Sequence, residues 1–178
     1  MIVESARLRF IPLNVEFLRA SLAGRRDEAE RLLGARLPEP WPQLPDVLRM
    51  RLAQLERDPA LAPWLTRAVV SKEDPHLVGV VGFHGPPGGD WLRDVAPEGV
   101  ELGYTIFERD RRRGFAREAC AALIDWAARS GGVRAFVLSI GAENAASAAL
   151  ARQLGFAKVA EWTHETRGLE HVYRLDRD

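Results

Sequence analysis

The chain has 178 residues, of which 47% are apolar and 28% charged, and its 25 basic and 25 acidic side chains cancel. That neutral balance excludes a chain drawn onto nucleic acid or an anionic membrane by its overall field. The lone Cys120 excludes an internal disulfide and a cysteine-rich zinc site, and no apolar run approaches a membrane span. The size suits one domain over residues 1–178 with its own core. With neither a long apolar region nor a cleavage signal in the first residues, the expected location is the cytoplasm.

Residues 7–11 alternate polar and apolar and read as a short strand ended by Pro12. Asn14 caps the helix that follows, with Val15, Leu18 and Leu22 on its inner face. A second short helix over 25–33 stops near Gly34. The prolines of 37–45 forbid helix or central strand, and Asp46 then caps a helix carrying Val47, Leu48, Leu52 and Leu55. Residues 64–70 and 77–83 predict a hairpin, and a glycine- and proline-rich loop runs from 85 towards 99. A strand over 100–107 passes through a charged turn into a helix over 114–130, whose inner face carries Phe115, Ala119, Leu123, Trp126 and Ala127. A buried strand over 134–140, a helix opening at Asn144, and two strands over 157–165 and 170–175, meeting at a turn around Arg167 and Gly168, complete the chain. This order predicts an α+β fold around one mixed, mainly antiparallel sheet. The connection from 100–107 through the helix to 134–140 should be a crossover that makes those two strands parallel.

The turn before the central helix reads Arg111-Arg112-Arg113-Gly114-Phe115-Ala116. A strand that feeds a glycine turn opening into a helix builds an anion site, because the first-turn amides lack intrahelical partners and the helix dipole favours negative charge there. It is neither a nucleoside-triphosphate loop, since Gly-x-x-x-x-Gly-Lys is absent, nor a dinucleotide fingerprint. The pattern R-x-x-G-x-A at this juncture resembles the acyl-CoA signature of the GNAT superfamily of N-acyltransferases. Asn144-Ala145-Ala146-Ser147, leading to Leu154-Gly155-Phe156, is similar to that family's second block. The opening Glu4-Ser5-Ala6-Arg7-Leu8 resembles the branch that holds ribosomal-protein N-terminal acetyltransferases.

The resemblance, which covers about residues 5–175, implies a sheet of about seven strands, flanked by helices and splayed between 100–107 and 134–140. It implies acetyl-CoA as acyl donor, with pantetheine bonding the backbone of Thr105, Ile106 and Phe107. The pyrophosphate would rest on the amides of Arg112, Arg113, Gly114, Phe115, Ala116 and Arg117, and Asn144 would bond the pantetheine arm besides capping its helix. A backbone amide near Phe107 would polarise the thioester carbonyl. Acyl transfer needs a neutral amine, hence a proton acceptor. Glu101 is the first candidate, two strand positions before Gly103 and on the same face; His84, at the end of the preceding strand, is the second. Where many relatives carry a tyrosine for the departing thiolate this chain has Ala151, leaving Ser147 or solvent as proton source. Trp41 and Trp91 are candidates for the acceptor site alongside His84. The reading is direct transfer of acetyl to a primary amine, of a protein or peptide N-terminus or of a small molecule, in a ternary complex, without metal, nucleic acid or membrane and compatible with a homodimer. The alternatives are a non-catalytic acyl-CoA-binding or sensing module and an RNA-binding surface on 109–117, which the charge balance disfavours.

Overall fold

The computed structural model of the protein describes residues 3–164 and 168–177. Strands β1 (Val3–Glu4) and β2 (Leu8–Pro12) lead to helices α1 (Val15–Leu22), α2 (Arg26–Leu33) and α3 (Pro45–Arg57). Then come β3 (Arg67–Ser71), β4 (Leu77–Phe83), β5 (Val100–Ile106), α4 (Phe115–Gly131), β6 (Ala135–Gly141), α5 (Ala145–Gln153), β7 (Ala157–His164) and β8 (Gly168–Asp176). The strands make one eight-stranded sheet in the order β1-β2-β3-β4-β5-β6-β8-β7. The strand beyond the expected set is β1, which adds antiparallel to the edge at β2.

Asn14 caps α1 as its sequence implies, its Oδ1 accepting from the Phe17 N–H at 2.8 Å. Asp46 does not cap α3. That helix begins at Pro45, whose fixed φ suits the first helical position, with Leu44 as the flanking residue. Asp46 sits instead in the first turn, where its charge suits the dipole and its Oδ1 accepts from Arg49 Nη1 at 2.7 Å. The hairpin strand begins at Arg67 rather than at residue 64, although the Trp64 carbonyl still accepts from the Phe83 N–H at 3.0 Å. Arg167, in the expected turn between the last two strands, lies outside the described residues, as does Glu165 at the expected strand end.

Two apolar layers sandwich the sheet. On one face α4 and α5 bring Phe115, Ala119, Cys120, Leu123 and Ala151 against β-strand residues such as Leu102, Ile106 and Phe136. Each fully buried Leu or Phe here stabilises the fold by roughly 1.5–3 kcal/mol. Trp126 belongs to this layer, its ring centroid 5.6 Å from that of Trp64 and 6.4 Å from that of Phe83. On the other face α1, α2 and α3 press Phe17, Leu18, Leu48 and Leu55 onto Ala68, Val70 and Leu77. The loop before β5 sets Leu92 and Ala96 over Val137 and Val172. No helix among the described residues is long and apolar enough to cross a membrane.

The feature that positions the site is the parting of β5 from β6. They are parallel, as expected, but pair only at Val100↔Phe136 and Glu101↔Val137, at the start of two seven-residue strands. Beyond that point β6 follows β8 along its whole length and β5 follows β4. The sheet therefore opens as a wedge, bounded by the second half of β5 and the second half of β6.

Candidate active site

A cleft of about 820 Å³ fills the wedge and continues towards α3. Its β5 wall presents bare backbone. The Phe107 N–H donates to the Val78 carbonyl and the His84 N–H to the Glu101 carbonyl, both at 2.9 Å. These two bonds fix the parity of the strand: odd-numbered residues bond β4, and the polar backbone of Tyr104 and Ile106 faces the gap, where no strand pairs with it. The register thus overturns two expectations. Thr105 turns its backbone towards Val80, and Phe107 has both groups engaged, its carbonyl accepting from Asp110 N–H at 2.9 Å. Of the three residues the resemblance implies, only Ile106 directs backbone into the gap; its carbonyl already accepts from Arg111 Nε at 3.0 Å, which leaves the N–H. Tyr104 is the position that parity adds.

Beyond β5 the chain makes a single turn of 3-10 helix and enters α4 through Gly114, at φ 78°. No side chain caps the first turn of α4, so the amides of Phe115, Ala116 and Arg117 are left for an external acceptor. The turn is held from below. Asp110, 2% exposed, meets His76 Nε2 at 3.2 Å and Arg113 Nη1 at 2.9 Å. Arg7 and Arg113 lay their guanidinium groups over the Phe115 ring at 4.6 and 4.8 Å, and Arg7 Nη1 donates to the Arg113 carbonyl at 3.1 Å. Part of the charged turn is thus structural: Asp110 and Arg113 brace it, while Arg112 and Arg117 are exposed. Uncapped helix amides and an open strand edge fit a ligand with an anionic end and an amide-bearing arm.

Further along the cleft, Glu101 and His84 come together. The His84 Nδ1 lies 3.0 Å from Glu101 Oε2, and the carboxylate is 7% exposed. Burial alone would push the Glu101 carboxyl up. The contact and charge of His84 outweigh it and hold it below the usual carboxylate range. The imidazole then lies over Gly103: a Cβ there would stand 2.7 Å from His84 Nε2. Glycine at this position therefore leaves the floor on which the ring rests. Gly103→Ala should push the ring off its carboxylate and lower turnover at least about tenfold in a protein that still folds, since a ring tip can move while the backbone stays, with a fall in melting temperature no larger than that of Glu101→Gln; wild-type turnover would mean the ring's place is immaterial.

The depressed Glu101 value also predicts a stability signature. A carboxyl whose folded pKa lies below its unfolded value contributes stability that is complete above about pH 4.3 and is lost as pH falls through the folded value. The melting-temperature gap between wild type and Glu101→Gln should accordingly be widest near pH 7 and close below about pH 4. A gap that widens on acidification would reverse the sign.

On the opposite wall α5 is capped by Asn144, whose Oδ1 accepts from the Ser147 N–H at 3.0 Å. The capping role is thus in place, and Asn144 and Ser147 also line the cleft. Burial, which outweighs the neighbouring Ser147 side chain, raises the Tyr104 pKa, so the phenol stays protonated at neutral pH. Ala151 is fully buried in the core. Sequence reading passed over Tyr104, though its place on the strand beside the wedge was a usable signal. Trp91 stands at the rim, 47% exposed, its indole folded over Gly89, where a Cβ would fall 2.5 Å from the ring. Trp41 does not line the cleft: it packs beside Phe17 and Phe107 at centroid distances of 6.2 and 6.3 Å. It serves the second core.

A family model described as "Acetyltransferase (GNAT) domain" matches residues 7–157. The uncharacterized N-acetyltransferase YjdG of Bacillus subtilis (strain 168) is 26% identical over 173 residues, covering 92% of this chain and 96% of YjdG. A putative GnaT-family acetyltransferase from Bordetella pertussis superposes with a TM-score of 0.69 at 18% identity, over 98% of each chain. RimL, described as a ribosomal L7/L12 alpha-N-protein acetyltransferase in complex with coenzyme A, gives 0.65 at 18% identity, over 99% of this chain and 98% of its own. The last two similarities show a shared fold.

Proposed function

The chain belongs to the GNAT acetyltransferase family, and from that premise we propose that it moves an acetyl group from acetyl-CoA directly to a primary amine, with the Glu101–His84 pair as its proton acceptor. Bound acetyl-CoA supplies the activated thioester. The coenzyme A present with RimL supports that donor, as do the uncapped amides of Phe115, Ala116 and Arg117 and the free edge of β5. The Tyr104 and Ile106 N–H groups are the donors available to the arm and to an acyl oxygen, in place of one near Phe107.

The observation that carries the reading is the 3.0 Å contact between His84 Nδ1 and Glu101 Oε2. With Glu101 ionised, Nδ1 keeps its hydrogen and Nε2 is left as the lone-pair nitrogen, over Gly103 in the wall of the cleft. His84 Nε2 takes the proton of the attacking amine, and Glu101 positions the ring and stabilises the imidazolium. This moves the base from the carboxylate, the first sequence candidate, to the imidazole beside it. Tyr104, protonated and beside Ser147 in the cleft, delivers a proton to the departing thiolate, the work for which many relatives keep a tyrosine at the position of Ala151. Cys120 takes no part: it is fully buried, and burial pushes its thiol well up.

Thiol release from acetyl-CoA, measured against a panel of amines, tests the activity, and turnover that requires both an amine and His84 is the expected result. A pure acyl-CoA-binding module would bind acetyl-CoA and release no thiol with any acceptor. Tyr104→Phe and Ser147→Ala should each reduce kcat by about three- to thirtyfold without weakening acetyl-CoA, with the double variant no worse than Tyr104→Phe alone. Unaltered turnover in Tyr104→Phe would assign the thiolate's proton to solvent.

A further inference from the structure

On the α3 side of the cleft lies a buried charge that the proton transfers leave unused. Arg51 is 5% exposed and lines the cleft with Gln54 and Thr66. Its Nε donates to Thr66 Oγ1 at 2.9 Å, its Nη1 to Gln54 Oε1 at 2.8 Å, and its Nη2 approaches the Phe83 carbonyl at 3.4 Å. Every one of these partners is neutral. Among the described residues no carboxylate forms an ion pair with it, and burial alone lowers its pKa. A guanidinium has five N–H groups and stays charged in proteins, so each terminal nitrogen keeps a second hydrogen.

Such an arrangement is costly as architecture. Taking a cation out of water without a countercharge costs several kcal/mol, and three neutral acceptors return only part of it. Arg51 occupies the inner face of α3, three residues after Leu48 and four before Leu55, both buried, where an apolar side chain would tie the helix to the sheet more cheaply. Among the described residues the guanidinium meets Thr66, Gln54 and the Phe83 carbonyl, none of which carries a charge. The missing anion is therefore one that enters the cleft. Its place relative to the chemistry is short-range, because the carbonyl that Arg51 approaches belongs to Phe83, the residue preceding His84.

Resting on the acetyltransferase reading, we propose that Arg51 binds an anionic group, carboxylate or phosphate, carried by the acceptor itself, so that the substrate is a small zwitterionic amine of amino-acid or aminoalkyl-phosphate type. The spare hydrogens, one on each terminal nitrogen, are the donors a pair of carboxylate or phosphate oxygens accepts from. Glu101 lines the same cleft, which therefore offers negative charge to the ammonium end and positive charge to the anionic end. Complementarity at both ends rejects a polyamine, which would bring a second cation to Arg51.

Matched acceptor pairs test this on the intact protein. α-Amino acids against their carboxamides form one arm, and phosphoethanolamine against ethanolamine the other; kcat/KM is followed by thiol release. The anionic member of at least one arm should exceed its neutral partner tenfold or more, and the arm in which it does so tells carboxylate from phosphate. Arg51→Gln should remove the preference by raising acceptor KM about thirtyfold or more, with kcat and acetyl-CoA affinity within about twofold, and Arg51→Lys should restore part of it. Because the comparison within wild type needs no variant, poor folding of Arg51→Gln would not spare the proposal. Equal rates for charged and neutral partners overturn it, as does a peptide N-terminus acetylated equally by wild type and Arg51→Gln. If no amine in either arm is acetylated, while acetyl-CoA binds and other amines are turned over, the proposal also fails. Failure of the acetyltransferase reading looks different, with no thiol release for any amine whatever its charge.

Discussion

Replacing Gly114 with glutamate is expected to weaken acetyl-CoA binding at least a hundredfold while the protein stays folded. Gly114 ends the turn at φ 78° and precedes the uncapped amides of α4. A carboxylate introduced here meets the negative charge that those amides are arranged to receive. At ~6 Å and an effective dielectric constant of ~20, a pair of unit charges repels by about 3 kcal/mol, which is roughly a hundredfold in affinity. The left-handed backbone adds a separate cost of about 1–2 kcal/mol in stability, shared by any residue with a Cβ. Gly114→Ala isolates that part. Both variants should lose similar melting temperature, because a Cβ here meets nothing closer than Arg7 Nη2 at 3.4 Å. Only Gly114→Glu should lose acetyl-CoA by titration calorimetry, and undiminished affinity would move the anion site away from α4.

The second large effect belongs to His84. His84→Ala should lower kcat by about 10²–10⁴, the usual worth of a positioned general base, and leave acetyl-CoA affinity alone. Glu101→Gln should cost less, since the ring remains and only its orientation and the charge beside it are lost. The double variant should fall no further than His84→Ala, because the two side chains act as one unit. Free imidazole should restore part of the activity of His84→Ala. The opposite order, with Glu101→Gln crippled and His84→Ala active, would return the base to the carboxylate.

Much of the scaffold was legible because it is written locally. The strand, turn and helix from residue 100 to 130 carry their own periodicity, and Gly114 stands where a close backbone turn is needed. The parallel crossover followed from that order, and the sheet fell short only by Val3–Glu4, too short to show alternation. What stayed hidden depends on register across the sheet. That His84 meets Glu101 requires β4 beside β5 with Phe83 opposite Leu102, a pairing set by residues far apart in the chain. The same register decides that Tyr104 and not Phe107 turns its backbone to the gap. Tyr104 reaches Ser147 only because β5 and β6 part, and the parting leaves no local trace. Trp41 was misplaced since proline-rich chain shows where a helix cannot form and not which layer its side chains enter. Arg51 was the exception, an arginine in the apolar stripe of α3 between Leu48 and Leu55, open to anyone counting the helical period.

Thermal unfolding with acetyl-CoA, and with ATP and NAD as controls, bears most directly on the assignment of the wedge between β5 and β6 as an acyl-CoA site. Ligand at 100 times its dissociation constant should add about 2.7 kcal/mol of stability, seen as a clear rise in Tm with acetyl-CoA and none with the controls. The rise should vanish in Gly114→Glu and persist in His84→Ala. A folded protein whose Tm ignores acetyl-CoA, or responds to it equally in Gly114→Glu, would contradict the assignment.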